Sequence, residues 1–141
     1  MLPTRRAAGR TGASAEVLIV EDDAAIAQMY RIQLEADGYR VLVAATADDA
    51  VAAIDRCQPD LVLLDVLLPG QDGFAVLEHL GHAADPAPPV VILSNYGEPA
   101  MIDRGLALGA VDYFVKSSVT PDVVSRSIPG WLEHGPMRAG P

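Results

Sequence analysis

Basic residues are scarce in this chain. Ten Lys and Arg stand against nineteen Asp and Glu, for a net charge of −9. Binding nucleic acid through its phosphates needs basic surface, so no direct nucleic-acid partner is expected. Arg5, Arg6 and Arg10 form the one basic cluster, inside a Gly/Ala/Ser-rich stretch over residues 1–15 that reads as a disordered tail. Cysteine is nearly missing. Cys57 alone excludes an internal disulfide and fits a reducing compartment, so a cytoplasmic location is expected. Its reading is a small residue packed near a helix end. Apolar runs are short, none near the roughly 18–20 residues of a membrane span, and no membrane partner is expected. The opening MLPTRRAAGRTGASAE also lacks the continuous hydrophobic segment of a secretory signal.

What the chain does have is aliphatic bulk. Half its 141 residues are hydrophobic although aromatics make up only 5%, enough for one domain with a real core. VLIV (17–20), YRVLVAA (39–45), LVLL (61–64), PVVIL (89–93) and VDYFV (111–115) read as strands. Helical segments lie between them. In the first, Ile26, Met29, Tyr30 and Leu34 share a stripe that stops at Gly38. The second opens on Thr46 with Asp49 three residues on, a capping-box pattern. A third starts from Asp72 or Gly73, a fourth ends at Gly109, and Thr120-Pro121 opens a fifth, which Pro129 should shorten or kink. Continuous apolar strands alternating with amphipathic helices imply a parallel sheet covered on both faces. The expected limits are a domain over 16–134 and a second disordered tail over 135–141.

Chemistry gathers at the strand ends. Glu21-Asp22-Asp23 follows the first strand, Asp65 the third, Ser94 the fourth and Lys116 the fifth. Ligands of open α/β sheets bind outside these carboxyl ends, where strand order reverses. With the order 2-1-3-4-5, the first and third strands are neighbours, and Glu21, Asp22 and Asp65 converge. Three close carboxylates resist ionising together. A hard divalent cation removes that conflict, and magnesium suits a few carboxylates plus waters and a phosphate. Lys116 adds a compact cation and Ser94 a hydroxyl donor. That set fits phosphoryl transfer, with Asp65 as the central nucleophile that becomes an aspartyl-phosphate.

EDD, DVLLPGQDG, LSN and DYFVK, at these spacings, resemble the response-regulator receiver domains of two-component signalling, from about Val17 to about Glu133. The resemblance implies a flavodoxin-like α/β fold. It further implies that Asp65 is the phosphoacceptor, that Asp22 binds Mg2+ directly and Glu21 largely through water, and that the Leu67 backbone carbonyl completes the metal's protein ligands. Ser94 and Lys116 would contact the phosphoryl oxygens, and Tyr113 would be the aromatic switch that follows Ser94. The implied donor is a sensor histidine kinase or a histidine phosphotransfer protein. The output would be a downstream protein on the face of the fourth helix, fifth strand and fifth helix. The chain would be a signalling switch that catalyses its own phosphorylation and dephosphorylation, not an enzyme acting on a separate substrate. With few residues after Glu133, a stand-alone, chemotaxis-regulator-like receiver is expected. Leu68, Asn95 and Ser117 depart from the family, which commonly has methionine, a small residue and proline there. Leu67, Asn95 and Tyr96 are expected to crowd the approach of water and slow the loss of the phosphoryl group.

Other readings fit the residues less well. A haloacid-dehalogenase-type phosphatase needs a second acid two residues after its nucleophile, where this chain has Leu67. A flavodoxin needs a phosphate loop that EDD would repel. A degenerate receiver, working without phosphate, would not need the full polar set. Asp23 and Asp72 are read as helix caps, His79, His82 and His134 as solvated residues without metal partners, and Trp131 as closing the edge of the core.

Overall fold

The computed structural model describes residues 15–68, 71–83, 87–95 and 97–134. Of the tails expected to be disordered, 1–15 and 135–141, residues 1–14 and 135–141 lie outside the described residues, as does Tyr96, whereas Ala15 is buried and its carbonyl accepts Arg40 N–H at 3.0 Å. Five parallel strands form the sheet: β1 (Glu16–Val20), β2 (Arg40–Ala44), β3 (Leu61–Leu64), β6 (Val90–Ser94) and β7 (Asp112–Val115). Two short strands, β4 (Leu67–Leu68) and β5 (Gln71–Asp72), form a separate antiparallel hairpin. The sheet order is β2-β1-β3-β6-β7, which is the expected 2-1-3-4-5 once the hairpin is set aside. Five helices connect the strands: α1 (Ala24–Ala36), α2 (Ala47–Cys57), α3 (Phe74–Ala83), α4 (Pro99–Ala107) and α5 (Pro121–His134).

Alternation along the strands divides the core into two layers. Val17, Ile19, Leu61 and Leu63 face one way and pack with Tyr30 and Leu34 of α1 and Ile128 and Trp131 of α5. Leu18, Val20, Val62 and Leu64 face the other way, against Ile54 of α2 and Leu77 and Leu80 of α3. All four β3 residues are buried, as a central strand covered on both faces requires.

Helix starts follow local chemistry. Asp23 caps α1, accepting the N–H groups of Ala25 and Ile26 at 2.9 and 3.1 Å. Thr46 caps α2 by accepting Asp49 N–H at 3.0 Å. Gly38 adopts φ 97°, a conformation open to glycine, and turns the chain from α1 into β2.

Three expectations need correction. Met29 is 47% exposed, whereas Ala27 joins Tyr30 and Leu34 inside. Ala27, Tyr30 and Leu34 are spaced three and four apart and share the inward face, while Met29, one position before Tyr30, is turned about 100° away from it. Pro129 neither ends nor shortens α5, which continues to His134; packing of Ile128 and Trp131 on either side of it holds the helix in place. His79 is not a lone solvated residue, since its Nε2 lies 2.9 Å from Asp55 Oδ1 on α2. That partner is far away in sequence and becomes visible only when α2 and α3 pack side by side. The side chains of His82 and His134 lie outside what the structure describes. Trp131 is buried, with its ring centroid 5.8 Å from that of Phe114 and its Nε1–H donating to Asp112 Oδ2 at 3.3 Å.

Candidate functional site

The acids arrive on two adjacent strands. β1 delivers Glu21 and Asp22 directly after Val20, and β3 delivers Asp65 directly after Leu64, which lies opposite Val20 in the parallel register. One carboxylate oxygen from each of Glu21, Asp22 and Asp65 lies within 4.8 Å of the others. Glu21 and Asp65 are buried and Asp22 is exposed, so the cluster has a dry floor and an open side.

Lys116 reaches this cluster from the far side of the sheet. It opens a 3₁₀ turn (Lys116–Ser118) directly after β7, and Ser117 lies within that turn. Its Nζ donates to Asp65 Oδ2 at 2.9 Å and to Glu21 Oε1. The remaining oxygens meet backbone groups: Asp65 Oδ1 accepts Leu67 N–H at 3.0 Å, and Glu21 Oε2 accepts Asp23 N–H at 3.1 Å. Burial pushes the Glu21 carboxyl above its ordinary 4.5, and its hydrogen bond from Lys116 offsets only part of that. Burial pulls the Lys116 ammonium down, but the hydrogen bonds and charges of Glu21 and Asp65 outweigh it, leaving its pKa above the ordinary 10.5. Three carboxylates against one ammonium leave the site formally two negative charges in excess. An all-oxygen set with no thiol or imidazole is what a hard cation such as magnesium takes, rather than zinc.

The other expected site residues are distributed around this cluster. Ser94 is the last residue of β6, on the neighbouring strand to β3, and is fully buried. Tyr113 lies half-buried on the edge strand β7, opposite Ile92. The side chain of Leu67 is 48% exposed while its backbone holds Asp65. Asn95 is exposed beside Ser94.

Two features had not been read from the sequence. Gly73 must be glycine: a Cβ there would lie 2.5 Å from Val66 Cα and 2.8 Å from the Asp65 carbonyl oxygen, and its N–H donates to Val66 O at 2.8 Å. The PGQDG stretch carried that signal, since closely spaced glycines mark a tight approach. Asp72 does cap α3, accepting Phe74 N–H at 2.9 Å, but its other oxygen pairs with Arg104 of α4 at 3.1 Å.

A family model of the response regulator receiver domain matches residues 17–127, and the chain belongs to that family. It is similar to the DNA-binding response regulator MtrA of Mycobacterium tuberculosis strain H37Rv, 36% identical over 110 residues that cover 78% of this chain and 47% of that protein. It is also similar to the phosphate regulon transcriptional regulatory protein PhoB of Escherichia coli K12, 38% identical over 111 residues that cover 78% and 48%. The chain thus spans about half the length of the curated relatives it matches. Among solved structures, the BeF3-activated receiver domain of Klebsiella pneumoniae RstA superposes with a TM-score of 0.76 at 31% identity, covering 83% of this chain and 97% of that one. A CheY-like receiver domain protein from Methanospirillum hungatei gives 0.77 at 31%, covering 85% and 94%. The protein is a receiver domain of the two-component response-regulator class, with a flavodoxin-like α/β fold. Among the described residues no helix is long and apolar enough to cross a membrane.

Proposed function

We propose that this receiver unit, residues 16–134, is a phosphorylation-controlled switch in which Asp65 takes a phosphoryl group from a histidine kinase or a histidine phosphotransfer protein. The observation that carries the reading is the surroundings of Asp65: Glu21 and Asp22 oxygens within 4.8 Å and the Lys116 ammonium 2.9 Å from Oδ2. An Asp65 carboxylate oxygen attacks the donor phosphorus and forms a P–O bond as the P–N bond to the donor imidazole breaks. The imidazole nitrogen keeps that electron pair and takes up a proton from water. Lys116, already aimed at Asp65, follows the transferred group and pairs with its anionic oxygens, and the Ser94 hydroxyl donates to them. The chain is thereby the catalyst of its own modification and of its later hydrolysis, rather than an enzyme with a separate substrate.

Glu21, Asp22, Asp65 and the Leu67 carbonyl are the groups that would hold Mg2+. When bound, the ion neutralises carboxylate and phosphoryl charge. Support for that role comes from the acids' own conflict, since the single ammonium leaves excess negative charge to be matched. Tyr113 is proposed to change rotamer as Ser94 is drawn towards the phosphoryl group. The downstream protein is placed on α4, β7 and α5, around Met101, Arg104 and Tyr113. The full chain's net charge of −9 keeps nucleic acid off the list of direct partners proposed here.

The test is incubation with acetyl phosphate, with and without magnesium, followed by mass mapping of the adduct. Labelling at Asp65 that requires magnesium is expected. Equal labelling of an Asp65→Ala variant would overturn the assignment.

A further inference from the structure

We propose that Arg104 latches helix α4 to the loop that carries Asp65, and that this latch passes the charge state of Asp65 to α4 by a route separate from Ser94 and Tyr113. The inference rests on the phosphoacceptor reading above.

The route begins at Asp65 Oδ1, which accepts Leu67 N–H at 3.0 Å. Leu67 lies opposite Asp72 across the β4–β5 hairpin. Asp72 uses both carboxylate oxygens, Oδ1 for the Phe74 N–H at 2.9 Å and Oδ2 for the Arg104 guanidinium at 3.1 Å. The same guanidinium lies over the Phe74 ring, 4.2 Å from its centroid. One side chain of α4 therefore grips the last residue of the hairpin and the first residue of α3 together.

Helix α4 is built to respond. It is nine residues long, and its N-cap residue, Glu98, makes no side-chain capping bond. A groove of about 680 Å³, lined by Val66, Leu67, Phe74 and Met101 among others, separates part of α4 from the hairpin. At Gly105 the helix comes close to the sheet: a Cβ there would lie 2.5 Å from Ile92 Cδ1 and 3.4 Å from the Tyr113 ring. The helix thus pivots where it touches β6 and β7, with Arg104 as its tie to the phosphoacceptor loop.

Phosphorylation supplies the push. Once Asp65 carries the phosphoryl group, the negative charge moves from the carboxylate to the phosphoryl oxygens further out, and the ionised acceptor open to Leu67 N–H moves with it. Charge-assisted hydrogen bonds are roughly twice as strong as neutral ones. The hairpin moves with Leu67, Asp72 shifts against Arg104, and the latch loosens. Linkage makes this reciprocal, so cutting the latch directly strengthens binding of a phosphoryl mimic at Asp65.

The experiment titrates beryllofluoride with magnesium and follows the Val66 and Leu67 amides by NMR, with Ala100 and Met101 reporting on α4. Arg104→Gln and Asp72→Asn are each expected to lower the midpoint about three- to tenfold, the size of an exposed ion pair with a cation–π contact. Asn caps a helix as well as Asp, so Asp72→Asn leaves the start of α3 intact. Arg104→Lys should restore part of the wild-type midpoint, keeping the charge without the planar fork. The same factors are expected in a Ser94→Ala background. Unchanged or raised midpoints in Arg104→Gln and Asp72→Asn would overturn the latch, and so would effects that vanish when Ser94 is alanine. Failure of the phosphoacceptor reading looks different: the wild type would then show no shift at Val66 and Leu67, and the latch would fall with it.

Discussion

Two buried aspartates flank the same strand and do different work. Asp60 enters β3 and is 2% exposed; Asp65 leaves it and is 6% exposed. Asp60 accepts the Glu16 N–H at 2.8 Å through its carboxylate while its own N–H donates to Glu16 O at 2.8 Å. It ties the start of β3 to the start of β1, with a fixed backbone dipole among its partners. Asp65 shares a lysine with Glu21 and has two other acids within 4.8 Å. Burial does not separate the two residues; the acid cluster and shared lysine around Asp65 do. An acid that ties two strands together through backbone groups serves the fold. An acid competing for a shared cation can exchange that cation for a ligand.

The comparison is broken most strongly by removing Lys116. Lys116→Met leaves Glu21 and Asp65 without their cation, and losing one member of a buried charge group costs about 3–5 kcal/mol. Urea denaturation should show that loss, and millimolar magnesium should recover more stability in the variant than in wild type. Unchanged stability would mean that the two acids do not depend on Lys116.

A smaller effect sharpens the contrast between the two aspartates. Asp60→Ala leaves the Glu16 N–H short of its acceptor and should cost about 1–3 kcal/mol, with phosphorylation retained. Asp65→Ala removes one of three mutually repelling carboxylates, so it should cost less than Asp60→Ala while abolishing phosphorylation. Equal losses of stability in the two variants would erase the distinction.

The smallest effect is in the pH dependence. The folded-state pKa of Glu21 is raised above its ordinary 4.5, so the folded chain binds more protons than the unfolded one just above that pH. The stability this group contributes is therefore fully present below 4.5 and is lost as pH rises through the raised value. Lys116, also raised, contributes stability that is present below 10.5 and lost above it. Thermal denaturation from pH 4 upward should show wild type losing stability relative to Glu21→Gln as Glu21 ionises. A gain with pH would reverse the sign and refute the buried, protonation-prone state of this acid.

Much of the molecule was legible beforehand because its signals are local or periodic. The four-residue run LVLL is buried on both faces whatever surrounds it, and Asp23 and Thr46 cap helices through atoms two or three residues away. Glu21, Asp22, Asp65 and Lys116 could be grouped because strand ends and sheet order are set by apolar pattern and crossover handedness. Tertiary packing alone decided that Ala27 rather than Met29 faces the core, that His79 meets Asp55, that α5 runs through Pro129, and that Asp72 holds Arg104. Each of these depends on how closely two elements approach, or on a partner from another element. Hydrophobic periodicity determines which side of an element faces inward; the fit between elements determines which atoms on that side touch.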